Sequence, residues 1–498
     1  MRASSQPPSR APIWPLLVLA CAPQGDCYGE APAPASARPA AEDHRAACVR
    51  RHQDAPPRYR AIARALCADH HNLGGVGVSV AIAEAGKIRW LAVAGRTCVR
   101  GAKITPHTVF RAGSLTKLAT AALALTLVDE GLLGLDAPLW PHLPELAEAV
   151  DPDAAAITLR HLLAHSAGLP DRAPTGAELR QAAAGASPSA PTWLHQLGGF
   201  PLWAPPGALW SYSNAGYAAV GLAVERVSGE PYARALATRL FAPLRLHEIG
   251  ADLDEARAID WACGRLGPGS AAREIDLAAD RHLRPSRLWT APAGGLFASA
   301  SALVELLLGL GDPAGSPLSE AARDALLAPA IATHERPGET YALGLRRRLL
   351  SDGAALYAHS GNTGDYAAEL YWIPATGFAA VIMSGSGEPL RATALAIQRE
   401  LFEPPPPPAP AAPLAHYTGD YWPPEWPEPL RVRLVGAALH LSGPLFTGPT
   451  PLEHLGDHRF RVRGRPELGA LTFVWSGAQV RPLHLRARLF SAERVDRE

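Results

Sequence analysis

The chain has 498 residues, 48% of them apolar, enough to bury a large core; at about 150 residues per domain it calls for two or three domains. Acidic and basic residues balance at 47 each, which excludes a bulk nucleic-acid binder with its basic excess or stripe. No uninterrupted run of about 18 apolar residues occurs, so a multispan membrane protein is excluded too.

In chain order, the first element is an export signal over residues 1–22. Arg2 and Arg10 supply charge, Ile13 to Ala20 a short apolar core, and Ala20, Cys21 and Ala22 the small residues of a cleavage site. This layout predicts a periplasmic or secreted protein. Val18-Leu19-Ala20-Cys21 is similar to a lipoprotein cleavage box, so lipidation of Cys21 would anchor the chain to a membrane. Residues 23–57, rich in Ala, Pro and charge, read as a linker, with order expected from Arg58. Val76 to Ala94 alternates as two strands around the turn Glu84-Ala85-Gly86-Lys87. Leu118 to Glu130 is a helix closed by Gly131. Pro404 to Pro408 and the Ala/Pro run behind them favour extended polyproline II, so residues 403–413 form a linker. It separates a large domain, 58–402, from a small one, 414–498. The latter has short strand-like runs such as Leu430–Val435 and Leu471–Trp475 and reads as a β-sandwich or barrel.

The six cysteines, at 21, 27, 48, 67, 98 and 263, form no CxxC pair and no His-Cys metal spacing. Neither metal nor cofactor is called for. In an exported chain, pairing is expected among Cys27, Cys48, Cys67 and Cys98, with connectivity left open, while Cys263 reads as an ordinary small buried residue.

Three groups of residues carry chemistry. Lysine occurs only at 87, 103 and 117 against 44 arginines, so a lysine kept where arginine cannot serve is informative. In Gly113-Ser114-Leu115-Thr116-Lys117, Ser114 opens a helix and Lys117 follows three residues on, on the same face one turn away. A serine hydroxyl is a weak nucleophile that needs a base, and lysine serves once burial lowers its pKa, whereas arginine stays protonated. The helix amino terminus adds partial positive charge where an oxyanion would form. The plain alternative is a capping serine and a solvated lysine, and with three lysines a chance Ser-x-x-Lys arises about once in five such chains.

The second group is Tyr212-Ser213-Asn214 ahead of an apolar helix. A phenol at Tyr212 can pass a proton to or from Ser114, and the carboxamide of Asn214 suits an amide or ester substrate. The third is His359-Ser360-Gly361-Asn362 between strand-like runs. There Gly361 on an edge strand would admit a substrate backbone, and His359 can donate to a substrate carboxylate or tune the Lys117–Tyr212 proton. In isolation these are a polar turn and a surface histidine.

In order, Ser-x-x-Lys, then Tyr-x-Asn 98 residues later, then His-x-Gly another 147 on resembles the penicillin-recognising, β-lactamase-related serine hydrolases: class C β-lactamases, D-alanyl-D-alanine carboxypeptidases, D-aminopeptidases and related esterases. Ile157 to Pro170, Val227 to Tyr232 and Pro292 to Ser299 match that family's text, and the resemblance spans roughly residues 60 to 400. It implies an α+β fold, an antiparallel sheet flanked by helices plus a helical subdomain, with the small carboxy-terminal β domain similar to a lipocalin-like barrel. It also implies Ser114 as the acylated nucleophile and Lys117 and Tyr212 as the proton-handling pair, their division of labour open. Substrate contacts fall to Asn214, His359, Ser360 and Gly361, and the oxyanion hole to the backbone N–H groups of Ser114 and Asn362. The His161 to Pro170 stretch shapes and packs the helical region, with no chemistry assigned to His161 or His165.

One departure bears on substrate. Class C β-lactamases carry Lys-Thr-Gly at the third motif, where this chain has His359-Ser360-Gly361, and a neutral imidazole holds a β-lactam carboxylate less firmly than an ammonium. The expected partner is therefore a D-amino-acid peptide, amide or ester. A true class C-like β-lactamase, or a slowly acylated or non-catalytic cell-wall-binding sensor, are the alternatives. A second departure is Arg245-Leu246, where relatives tend to carry Gly-Met.

Overall fold

The computed structural model describes residues 44–97, 101–171, 194, 201–251, 261–266, 273–275, 290–402 except 337, and 412–495 apart from short stretches. The expected export signal, Cys21 and most of the proline-rich linker lie outside these residues.

The framework is an eight-stranded antiparallel sheet: β1 (Val78–Glu84), β2 (Lys87–Ala94), β3 (Ile331–Ala332), β4 (Thr340–Tyr341), β5 (Arg346–Leu349), β6 (Ala355–Asn362), β7 (Ala367–Ile373) and β8 (Phe378–Ser384), in the spatial order β2-β1-β8-β7-β6-β5-β4-β3. Period-2 alternation sorts its two faces. Val78, Val80 and Ile82 point to one side, against helices α1 (His44–Arg51), α2 (Arg60–Asn72) and the late helix Arg391–Leu401. Ala81 and Ala83 point to the other side, into the larger core, which also holds the buried helix α3 (Thr116–Asp129), α4 (Asn214–Ser228) and α5 (Ala300–Gly311).

Helix α3 is apolar all round and buried from Thr116 to Leu127, as a helix threaded through a core must be. It ends as the sequence predicts. Gly131 takes φ +72°, the Gly131 N–H reaches the Val128 carbonyl, and the Leu132 N–H reaches the Leu127 carbonyl, closing the cap. Arg245 sits at φ +56°, so the turn in which relatives tend to carry glycine is left-handed in this chain.

Two expectations shift. Residues 44–51, assigned to the linker by composition, form α1, which is tied to α2 by a Cys48–Cys67 disulfide. The helix is short and mostly polar, and its attachment comes from the cross-link and the burial of Cys48, which composition does not register. Cys263, expected as an unpaired buried residue, is disulfide-bonded.

The carboxy-terminal domain is a closed barrel of eight antiparallel strands: β9 (Gly419–Trp422), β10 (Leu430–Val435), β11 (Ala438–Ser442), β12 (Thr450–Gly456), β13 (Arg459–Val462), β14 (Ala470–Val474), β15 (His484–Ala487) and β16 (Phe490–Val495), with β16 pairing back onto β9. Tyr417, Tyr421, Phe460 and Phe473 fill its interior, with Trp426 and Trp475 packed against them and Trp422 39% exposed. Residues Asp43–Glu498 make one compact unit, so barrel and sheet domain share a single body.

Candidate active site

Ser114 stands in the tight turn Gly113–Leu115 that feeds α3, and the first turn of the helix carries Lys117 beneath it. The Lys117 Nζ is fully buried and lies 3.2 Å from the Ser114 Oγ, 2.8 Å from the Asn214 Oδ1 and 2.7 Å from the Ala293 carbonyl oxygen. Burial drives its pKa from 10.5 down to about 7, with the Asp171 carboxylate opposing the shift. A neutral amine has two hydrogens. The two closer partners are acceptors only and take both, which leaves the nitrogen lone pair facing the serine hydroxyl.

Tyr212 lies two residues before α4 and its hydroxyl donates to the Ser114 Oγ at 2.7 Å. Asn214, the first residue of α4, is held from two sides. Its Oδ1 accepts from Lys117, while its backbone N–H and Nδ2 both donate to the Asp171 Oδ1, at 2.9 and 3.0 Å. One Nδ2 hydrogen is left over for a ligand.

The edge of β6 brings the third motif against the Ser114 turn. A Cβ on residue 361 would stand 2.1 Å from the Ala112 carbonyl oxygen and 3.1 Å from the Ser114 nitrogen, and one on residue 113 would stand 2.8 Å from the Asn362 nitrogen. Glycine at both places, Gly113 at φ +53°, is what lets the Ser114 and Asn362 backbones lie side by side. Ser360 is exposed on the cleft wall. His359 is buried and fully engaged: its Nδ1 donates to the Ser360 carbonyl at 2.7 Å and its Nε2 accepts from the Tyr341 hydroxyl at 2.9 Å. Burial first, then the neighbouring Lys117 and Arg346, lower its pKa to about 3. It is a neutral imidazole with both nitrogens satisfied by protein, so the third motif offers the cleft no side-chain cation.

The cleft over these groups has a volume of about 840 Å³. Part of its wall comes from the barrel: Arg459 on β13, Ala470 on β14 and Arg486 on β15. The buried Arg486 guanidinium reaches the Glu335 Oε1 at 3.1 Å and lies 4.3 Å over the Trp210 ring. Arg346, 5.0 Å from the same ring, pairs with Glu335 at 2.7 Å and Glu339 at 2.6 Å. Burial opposes ionisation of Glu335, but Arg346 and Arg486 outweigh it and hold its pKa at about 2. Three arginines thus face two glutamates, and no carboxylate among the described residues pairs with Arg459.

The structure brings Ser114, Lys117, Tyr212, Asn214, His359, Ser360, Gly361 and Asn362 to one place, from segments about 100 and 150 residues apart. Sequence reasoning missed Asp171, the Ala293 carbonyl and the barrel arginines. Asp171 directly follows the stretch ending at Pro170 and Ala293 lies within the Pro292 to Ser299 text, so both were within reach. An arginine among 44 has no signature of its own.

The Beta-lactamase family model matches residues 62–402. Penicillin-binding protein 4 of Amycolatopsis lactamdurans is 28% identical over 336 residues, 65% of this chain and 83% of that protein. Among solved structures, SurE with D-Leu superposes with a TM-score of 0.64 at 24% identity, covering 88% of this chain and 99% of that one. The D-stereospecific amidohydrolase from Streptomyces sp. gives 0.56 at 23% identity, covering 69% and 98%. With most of its sheet domain inside that match, the chain belongs to the Beta-lactamase family of serine hydrolases.

Proposed function

We propose that the chain is an exported hydrolase that cleaves D-amino-acid peptides, amides or esters through an acyl-enzyme on Ser114. The observation that carries the reading is the buried Lys117 amine, with a pKa of about 7, within 3.2 Å of a serine hydroxyl that Tyr212 also touches. In this reading Lys117 takes the Ser114 proton as the Oγ attacks the carbonyl carbon. The oxyanion is stabilised by the Ser114 and Asn362 N–H groups. As the C–N or C–O bond breaks, the Tyr212 hydroxyl protonates the departing nitrogen or oxygen and regains a proton from Lys117. Water then repeats the sequence on the ester and releases the acid.

The D-configured, amide-type substrate draws support from the amidohydrolase likeness and from the relative solved with D-Leu. The neutral His359 weighs against efficient β-lactam hydrolysis, because the ammonium that would hold the antibiotic carboxylate has no counterpart at that position. The cation excess around Arg459 supports a substrate with an anionic end reaching the barrel wall. The Cys48–Cys67 disulfide suits an oxidising, extracytoplasmic compartment.

The test is intact mass over time with benzylpenicillin, alongside turnover of D-amino-acid amides and esters, for the parent and Ser114→Ala. Turnover of the D-substrates that Ser114→Ala abolishes supports the reading. Rapid penicillin turnover would make the chain a true β-lactamase. A lasting adduct with no turnover of anything would make it a sensor. Activity unchanged in Ser114→Ala would sink the acyl-enzyme itself.

A further inference from the structure

His165 lies in the His161 to Pro170 stretch, to which the sequence assigns packing alone. Two other members of that stretch behave accordingly. His161 forms a capping box with Thr158 on the short helix Leu159–Leu163, and Gly168, at φ +74°, lets its backbone meet Ala204. His165 differs from both. It is fully buried at φ +58°, a left-handed conformation that few non-glycine residues adopt. Its contacts converge on the segment that carries the Tyr212 hydroxyl. The His165 carbonyl accepts the Ser211 N–H at 2.7 Å, the Nδ1 accepts the Ser213 N–H at 3.1 Å, and the imidazole lies 4.2 Å, centroid to centroid, from the Tyr212 ring.

The residue before Tyr212, the residue after it and its ring are therefore gripped by one side chain and its own backbone. Because Nδ1 accepts, the ring proton sits on Nε2, which is buried without a hydrogen-bond partner among the described residues. A buried ring nitrogen left unsatisfied is a cost that packing alone would remove by placing an apolar side chain there. What an apolar side chain cannot supply is the acceptor for Ser213. Burial keeps the imidazole neutral and the acceptor available.

We propose that His165 is a positioning residue for Tyr212, fixing the phenol hydroxyl on Ser114 by accepting the Ser213 N–H and packing on the tyrosine ring. The inference rests on the hydrolase reading above and makes no claim of contact with substrate.

The test is a double-mutant cycle between His165→Ala and Tyr212→Phe, read as kcat and saturation constant for D-amino-acid p-nitroanilides, whose departing nitrogen needs the Tyr212 proton, with fluorophosphonate labelling of Ser114, followed by intact mass, as the check on the nucleophile. Displacing a reacting group by about 1 Å costs on the order of 100-fold in rate. The expected result is a loss of that order for His165→Ala at a little-changed saturation constant, and no further loss when it is added to Tyr212→Phe. His165→Asn, which offers Oδ1 in place of Nδ1 and tolerates the left-handed backbone, should keep most of the rate. His165→Phe, which keeps the bulk without the acceptor, should not, and it replaces His165→Ala in the cycle should the latter fail to fold. An undiminished penalty in the Tyr212→Phe background, or equal rates for the Asn and Phe variants, overturns the proposal and leaves the hydrolase standing. A parent chain that never labels at Ser114 overturns both.

Discussion

At the scale of single residues the proposed chemistry turns on one lysine. Burial brings the Lys117 pKa from 10.5 to about 7, and in the proposed mechanism the free amine is the form that accepts the serine proton. The acylation rate should therefore rise about tenfold per pH unit up to about 7 and level off above it, which single-turnover labelling of Ser114 across pH measures. Lys117→Arg keeps a cation of similar length but cannot release a proton, and it should be inactive at every pH. Lys117→Met should also be inactive yet as stable as the parent or more so, since it removes the desolvation cost of a buried amine; urea unfolding separates the two effects.

At the scale of elements, two close approaches set the geometry. The edge of β6 meets the turn before α3 through Gly361 and Gly113. In Gly361→Ala the new Cβ, 2.1 Å from the Ala112 oxygen, must push the strand away. A stability loss of about 1–3 kcal/mol is expected for such overpacking. It should be accompanied by a larger relative loss of acylation, because the Ser114 and Asn362 N–H groups proposed as the oxyanion hole separate. The Cys48–Cys67 bridge acts elsewhere. It closes a 19-residue separation on the face of the sheet opposite α3, so Cys48→Ser/Cys67→Ser should cost about 3 kcal/mol in denaturant unfolding while Ser114 still labels at the parent rate.

At the scale of the whole molecule, the barrel is part of the cleft. Arg486 spans from β15 to Glu335 and the Trp210 face, and losing one partner of a buried ion pair leaves the other charge uncompensated. Arg486→Ala should cost about 3–5 kcal/mol, read by thermal or urea unfolding. Arg459→Ala removes the arginine that no described carboxylate pairs with. It should raise KM for substrates ending in a free carboxylate while leaving the matching amides or methyl esters unchanged; an equal effect on both would rule out the anionic contact.

The sequence by itself determined the family, the eight candidate positions that the fold gathers at one cleft and the helix that follows Ser114. Those depend on short-range rules: Ser114 and Lys117 share a helix face because of the 3.6-residue turn, Gly131 ends that helix because it alone takes the left-handed bend at no cost, and the period-2 runs of the small domain announce strands. Tertiary structure alone decided what surrounds them. That Lys117 is dry enough to be a base, that His359 is saturated by Tyr341 and Ser360, and that Glu335 holds an arginine from another domain are facts of burial and of contacts across long sequence separations. No local pattern encodes them, because the energy of a buried charge or donor is set by whatever the fold brings within a few ångströms of it.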